Sequence, residues 1–189
     1  MNATVAPAAR PRLALPAPRT LATAASWPMA GYASFVFLSS LPYKFSGAPT
    51  TDHIFSTIGA WIGAWIGAWI GGGLGTGIGD AFARLGAYGV GSAELLASLL
   101  LLSPVALWIA GRARGRRVGP SRARLHAAGG ALAAALMAGA AFFHLKSPLG
   151  TVVVHDGTSD GGALFRAALT VLAMGIALVA INARDARRG

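Results

Sequence analysis

From Leu85 to Ala110 the chain has a single charged residue, Glu94, in a run that contains the stretch ELLASLLLL and carries Trp108 near its end. A segment this long and this apolar can cross the hydrocarbon core of a bilayer as a helix. Residues 24 to 41, 125 to 145 and 163 to 182 repeat the pattern. In lipid, backbone N–H and C=O groups must be satisfied within the segment, which leaves helices as the solution for separate apolar runs. Composition agrees: 54% of the 189 residues are hydrophobic, 12% are charged and the mean hydropathy is +0.59, more apolar surface than one core of this size can hide. The expected fold is an all-α membrane protein built as one four-transmembrane-helix bundle.

The formal charge of +10 would suggest a polyanionic partner for a soluble chain. Here the arginines are sorted along the sequence. Arg10, Arg12 and Arg19 precede the first apolar run; Arg112, Arg114, Arg116, Arg117, Arg122 and Arg124 fill one short segment; Arg184, Arg187 and Arg188 follow the last run. With four spans, all three groups fall on the cytoplasmic face, as the positive-inside rule requires. The expectation is a multi-pass protein of a bacterial-type cytoplasmic (inner) membrane with both termini cytoplasmic and with lipid, not nucleic acid, as its partner. Residues 1 to 22, with Pro7, Pro11, Pro16 and Pro18, read as a disordered basic arm, residues 23 to 183 as the transmembrane domain and residues 184 to 189 as a basic tail. A cleaved signal peptide is the rival reading of the first run, since Ser46, Gly47 and Ala48 are small.

The tetrapeptide GAWI occurs three times at residues 59 to 70, and glycines continue its four-residue step through Gly71, Gly75 and Gly79. On a helix this step makes a glycine ridge, with Trp61, Trp65 and Trp69 on another side. A slipped repeat tolerated in a loop is the alternative. Hydropathy would allow a fifth span at residues 57 to 79, but that span would carry the Arg-rich loop to the outer face. The segment is therefore expected to lie at the outer interface or to dip in and return.

There are no cysteines, so disulfides, thiolate metal sites and thiol relays are excluded. No two histidines stand at i, i+3 or i+4 spacing, and no metal site is expected; of the histidines only His126 and His144 are placed to ligate a haem, which is not expected either. Neither a phosphate-binding loop nor a serine-nucleophile elbow is present, and the chain is not expected to be an enzyme by itself. The candidate ligand-binding residues are Glu94, the one acidic residue inside a span, with Lys44 and His144 toward the same outer face. Glu94 could serve as a proton relay, a quinone partner or a cation site, or be tied structurally to Ser92, Ser98 or a backbone carbonyl. His53 and His155 read mainly as solvated loop residues.

The segments LPYKFSG, GSAELLASLLLL and LMAGAAFFHLKSPLG, with the Gly-Gly opening of the fourth run, together resemble the DoxX-like family over about residues 30 to 183. The resemblance implies a four-helix bundle with both termini inside. It also implies a role as an accessory membrane subunit of a quinone-linked redox or oxidative-stress system, with a periplasmic or membrane redox partner and quinone as a candidate cofactor. Lys44 and Glu94 match positions where that family tends to keep a Lys and a Glu, and His144 matches a polar end of the third span. The GAWI repeat departs from the family's shorter outer loop. The alternatives are a small proton- or cation-coupled transporter and a structural assembly subunit.

Overall fold

The computed structural model describes residues 18 to 187. The helices are α1 (Pro18–Phe45), α2 (Pro49–Ile70), α3 (Gly72–Arg114), α4 (Arg122–Lys146) and α5 (Ala163–Ala186), with a small β-hairpin, β1 (Val154–His155) and β2 (Thr158–Ser159), before α5. Among the described residues, all five helices are long and apolar enough to cross a membrane. The architecture is that of a multi-pass membrane protein with one more long apolar helix than the four expected.

The extra helix comes from the GAWI segment, which is helical throughout. α2 and α3 are separated by the single non-helical residue Gly71, whose φ of 103° and ψ of 139° lie where side chains other than glycine are not tolerated. The two helices fold back on each other along the glycine ridge. A Cβ added to Gly59 would stand 2.5 Å from the Gly79 carbonyl oxygen, and one on Gly75 would stand 2.5 Å from that of Gly63. The backbones therefore meet directly, the small-residue contact available to helices in an apolar medium.

α3 is 43 residues long, about 64 Å at the standard rise and roughly twice what a bilayer core requires. It begins well before Leu85, and its two halves have different neighbours. The first half pairs with α2, while the second packs against α1 and α4, with Leu101 pressed on Gly129. Pro104 lies in this second half; the carbonyl it leaves without an N–H partner, that of Leu100, accepts from the Ser103 hydroxyl at 3.1 Å.

The main core joins Ala30, Ala33 and Phe37 of α1 to Ala97 and Leu101 of α3, Ala133 and Met137 of α4, and Ala168, Val171 and Leu178 of α5. α4 and α5 approach closest where Gly130 faces Gly175; a Cβ on Gly175 would come within 2.7 Å of the Gly130 carbonyl. A second cluster of Ile58, Leu149 and Val153 seats the base of the α2–α3 hairpin on one end of the bundle, and Trp61 there meets Phe142 and Phe143 edge-on. Toward the tip, Trp69 is 78% exposed and Leu74 66% exposed.

Two expectations at the termini change. Pro18 to Ala22, assigned to a disordered arm, opens α1, since a proline is readily accommodated in a first helical turn; residues 1 to 17 lie outside the described residues. At the other end, α5 continues through Arg184 to Ala186, so the basic tail begins as helix.

Candidate functional site

Two buried polar clusters occupy opposite ends of the bundle. The first forms where α1 ends. Ser40 and Lys44 are one helical turn apart and therefore share a face, and that face meets Glu94 of α3. Lys44 Nζ donates to Glu94 Oε2 at 2.7 Å and to Ser40 Oγ at 2.8 Å. The Ser40 hydroxyl lies within donating distance of Glu94 Oε2, at 2.8 Å, and of the Phe37 carbonyl, at 2.7 Å. Oε2 takes every hydrogen bond that the Glu94 carboxylate makes to described residues. The Glu94 side chain is 4% exposed and that of Lys44 16%.

Close approach of the helices makes the ion pair possible. Gly91, one turn before Glu94, has no side chain to separate α3 from α1: a Cβ there would meet the Phe45 ring at 3.2 Å. Ser98, a candidate tether for the Glu94 carboxylate, instead donates back to the Glu94 main-chain carbonyl at 2.9 Å.

The pair opens into a cavity of about 790 Å³ enclosed by the end of α1, the base of α2, the middle of α3, the end of α4 and the start of α5. Its walls are mainly apolar, with Phe37, Phe55, Ile58, Phe82, Met137 and Phe143 among them. A cavity of this size, apolar with a few convergent polar atoms, suits a small organic molecule. Its charged lining residues are Lys44 and Glu94, and the hydroxyl-bearing residues Ser40, Tyr43, Thr50 and Thr51 also border it.

His144 belongs elsewhere. Its Nδ1 lies 2.7 Å from the Gly150 carbonyl and its ring packs on Phe165, so it fastens the chain after α4 to the start of α5. It does not line the cavity with Lys44 and Glu94. His53 and His155 stack on each other at 4.8 Å between ring centroids; among the described residues no group of His, Asp and Glu is arranged to hold a metal ion. Asp160 organises the same loop. Its Oδ1 accepts from the N–H groups of Val153 and Gly162, and its Oδ2 accepts from that of Leu164. Burial by itself would raise the Asp160 pKa; the three backbone donors and nearby His144 reverse this and hold it below its ordinary value of 3.8.

The second cluster lies at the Arg-rich end. Arg122 Nη1 is 2.7 Å from Ser26 Oγ of α1 and 2.9 Å from Asn182 Oδ1 of α5. His126 Nδ1 stands 3.2 Å from Ser26 Oγ, and Trp27 sets its edge against the imidazole. His126 is fully buried and its Nε2 has no partner among the described residues. Sequence reasoning counted Arg122 only as a topological charge and passed over Ser26 and Asn182. The available signal was one polar residue in the outermost turns of each of three apolar runs.

The bundle and its cavity define a membrane protein with an internal site of small-molecule size. Comparison with protein-family models, with curated proteins and with solved structures gives no match to this chain.

Proposed function

We propose that the protein is a DoxX-like, non-catalytic accessory subunit of a quinone-linked redox or oxidative-stress system, and that its cavity takes the polar ring of a quinone. The observation that carries this reading is the Lys44–Glu94 pair set in the wall of an apolar cavity of about 790 Å³. A quinone carbonyl accepts from the Lys44 ammonium, and a quinol hydroxyl donates to the Glu94 carboxylate, while the ring and tail contact the apolar walls. An ion pair left in an apolar bundle without such a role would give little net stability.

In the topology we propose, α1, the second half of α3, α4 and α5 are the four spans of a bacterial cytoplasmic membrane. The Arg-rich end and both termini face the cytoplasm, following the charge rule. The α2–α3 hairpin then stands at the outer face, where a membrane or periplasmic redox partner would reach both it and the mouth of the cavity. A cysteine at Thr76, probed in intact cells, tests this arrangement. Labelling from the periplasmic side is expected; protection there, with labelling of a cysteine in the Arg-rich loop, would overturn it.

Protein purified in mild detergent is expected to carry quinone on solvent extraction, and Glu94→Gln and Lys44→Met are each expected to lose it. Wild-type protein that neither carries quinone nor takes it up on titration would refute the assignment. Proton- or cation-coupled transport through Glu94 is the second reading. The direct Lys44 contact favours it less, because an ammonium already occupies the position a cation would take. Flux into liposomes that depends on Glu94 would replace the first reading with this one.

A further inference from the structure

The loop joining α3 to α4 forms a second recess, of about 820 Å³, at the Arg-rich end of the bundle. One side is apolar, made by Leu107, Trp108 and Val118, and the rim carries Arg112, Arg116 and Arg117. We propose that this recess binds the phosphate-bearing headgroup of an anionic phospholipid, with the first part of an acyl chain against its apolar wall.

The recess is built by the backbone. Gly115 caps α3 in the left-handed conformation, at φ 61°, and the Arg116 N–H returns to the Gly111 carbonyl at 3.2 Å. Gly119, at φ 73°, lies so close to Leu107 that a Cβ there would stand 3.0 Å from its methyl carbons. The chain thus folds back over the last turns of α3, and the arginines ring a recess on an ordered loop. The Arg112 guanidinium sits over the Trp108 ring, 5.7 Å from its centroid, a cation–π contact that holds the charge beside the apolar wall.

The charge there is not neutralised by the protein. Among the described residues the ion pairs are Lys44–Glu94 and His155–Asp156, so no carboxylate pairs with Arg112, Arg116 or Arg117. Pro120 and Arg122, at the N-terminal end of α4, also line the recess, which adds the positive end of that helix's dipole. Forked guanidinium groups suit phosphate oxygens. Free phosphate would satisfy the same arginines; the apolar wall, continuous with a membrane-type helix, selects an amphiphile.

Native mass spectrometry of the full chain in mild detergent tests the site, with phosphatidylglycerol, phosphatidylcholine and inorganic pyrophosphate as probes. Phosphatidylglycerol is expected to bind in preference to phosphatidylcholine and to resist displacement by pyrophosphate. Replacing Arg112, Arg116 and Arg117 together by Gln removes three charges near the surface and is expected to weaken phosphatidylglycerol binding roughly a hundredfold. The corresponding Lys variant keeps the charge and is expected to retain the preference in weaker form, which separates loss of the site from misfolding. Equal binding of the two lipids by wild type, or an unchanged preference in the Gln variant, would overturn the proposal. Displacement by pyrophosphate at matching affinity would overturn the lipid assignment in favour of a soluble phosphate ligand.

Discussion

The two ends of the bundle solve the same problem in different ways. At one end, Lys44 meets the opposite charge of Glu94 and the pair borders a cavity; at the other, Arg122 is held by the neutral oxygens of Ser26 and Asn182. Paired charge beside empty space is available to a visitor. Charge tied to hydroxyl and amide oxygens on three helices, with Ser26 and Asn182 each 1% exposed or less, locks those helices together. Burial of a polar group therefore does not by itself mark a binding site here.

The sharpest way to break this comparison is at the locked end. Arg122→Ala leaves Asn182 Oδ1 without its charged donor, while Ser26 Oγ keeps the Thr23 carbonyl at 2.8 Å and His126 Nδ1 at 3.2 Å, so the variant should lose about 1.5–3 kcal/mol. Thermal unfolding in detergent should show this with quinone binding retained up to the melt. A variant that melts like wild type would remove the locking role.

At the open end the single and double changes should diverge. Glu94→Gln leaves an unpaired ammonium, a loss of about 1–3 kcal/mol given that Lys44 keeps an edge on the cavity. Replacing Lys44 and Glu94 together by Met should restore stability to within about 1 kcal/mol of wild type, since a buried pair can be exchanged for apolar groups at little cost. The double variant should still bind no quinone. If it bound as wild type does, the pair would not be the recognition element.

His126→Phe sharpens the comparison from the other side. The ring contact with Trp27 can be kept and the Nε2 without a partner is removed, at the cost of the Nδ1 contact to Ser26 Oγ, so the change should cost no more than about 1.5 kcal/mol. A larger loss would mean that Nε2 is satisfied in the membrane by a group the protein does not supply. The smallest effect is expected at Asp160. Its lowered pKa means that it contributes stability above the unfolded value of 3.8 and loses that contribution as pH falls through the folded value. Wild type should therefore lose melting temperature below pH 3.8 more steeply than Asp160→Asn does.

The helical architecture was legible because apolar length survives any arrangement of neighbours. Glu94 and Lys44 were legible as single charges in or beside long apolar runs. For His144 only part was legible: its place at a helix end is visible in the sequence, whereas its bond to the Gly150 carbonyl depends on how the following loop turns. The β-hairpin was missed although Asp156-Gly157 is a strong turn signal; both residues have positive φ, as a tight two-residue hairpin turn requires. Its strands are only two residues each, too short to show an alternating pattern.

The sequence by itself determined that this chain is helical, apolar enough for a membrane and sorted by charge into one basic end, because hydropathy and charge are sums over local residues. It also contained the glycine step, though not what the step contacts. Only the tertiary structure decided that Gly59, Gly63, Gly75 and Gly79 face one another across a hairpin, that Lys44 reaches Glu94, and that Ser26, Arg122 and Asn182 converge. Those are meetings between distant segments, set by how closely helix backbones can approach, and no local pattern specifies them.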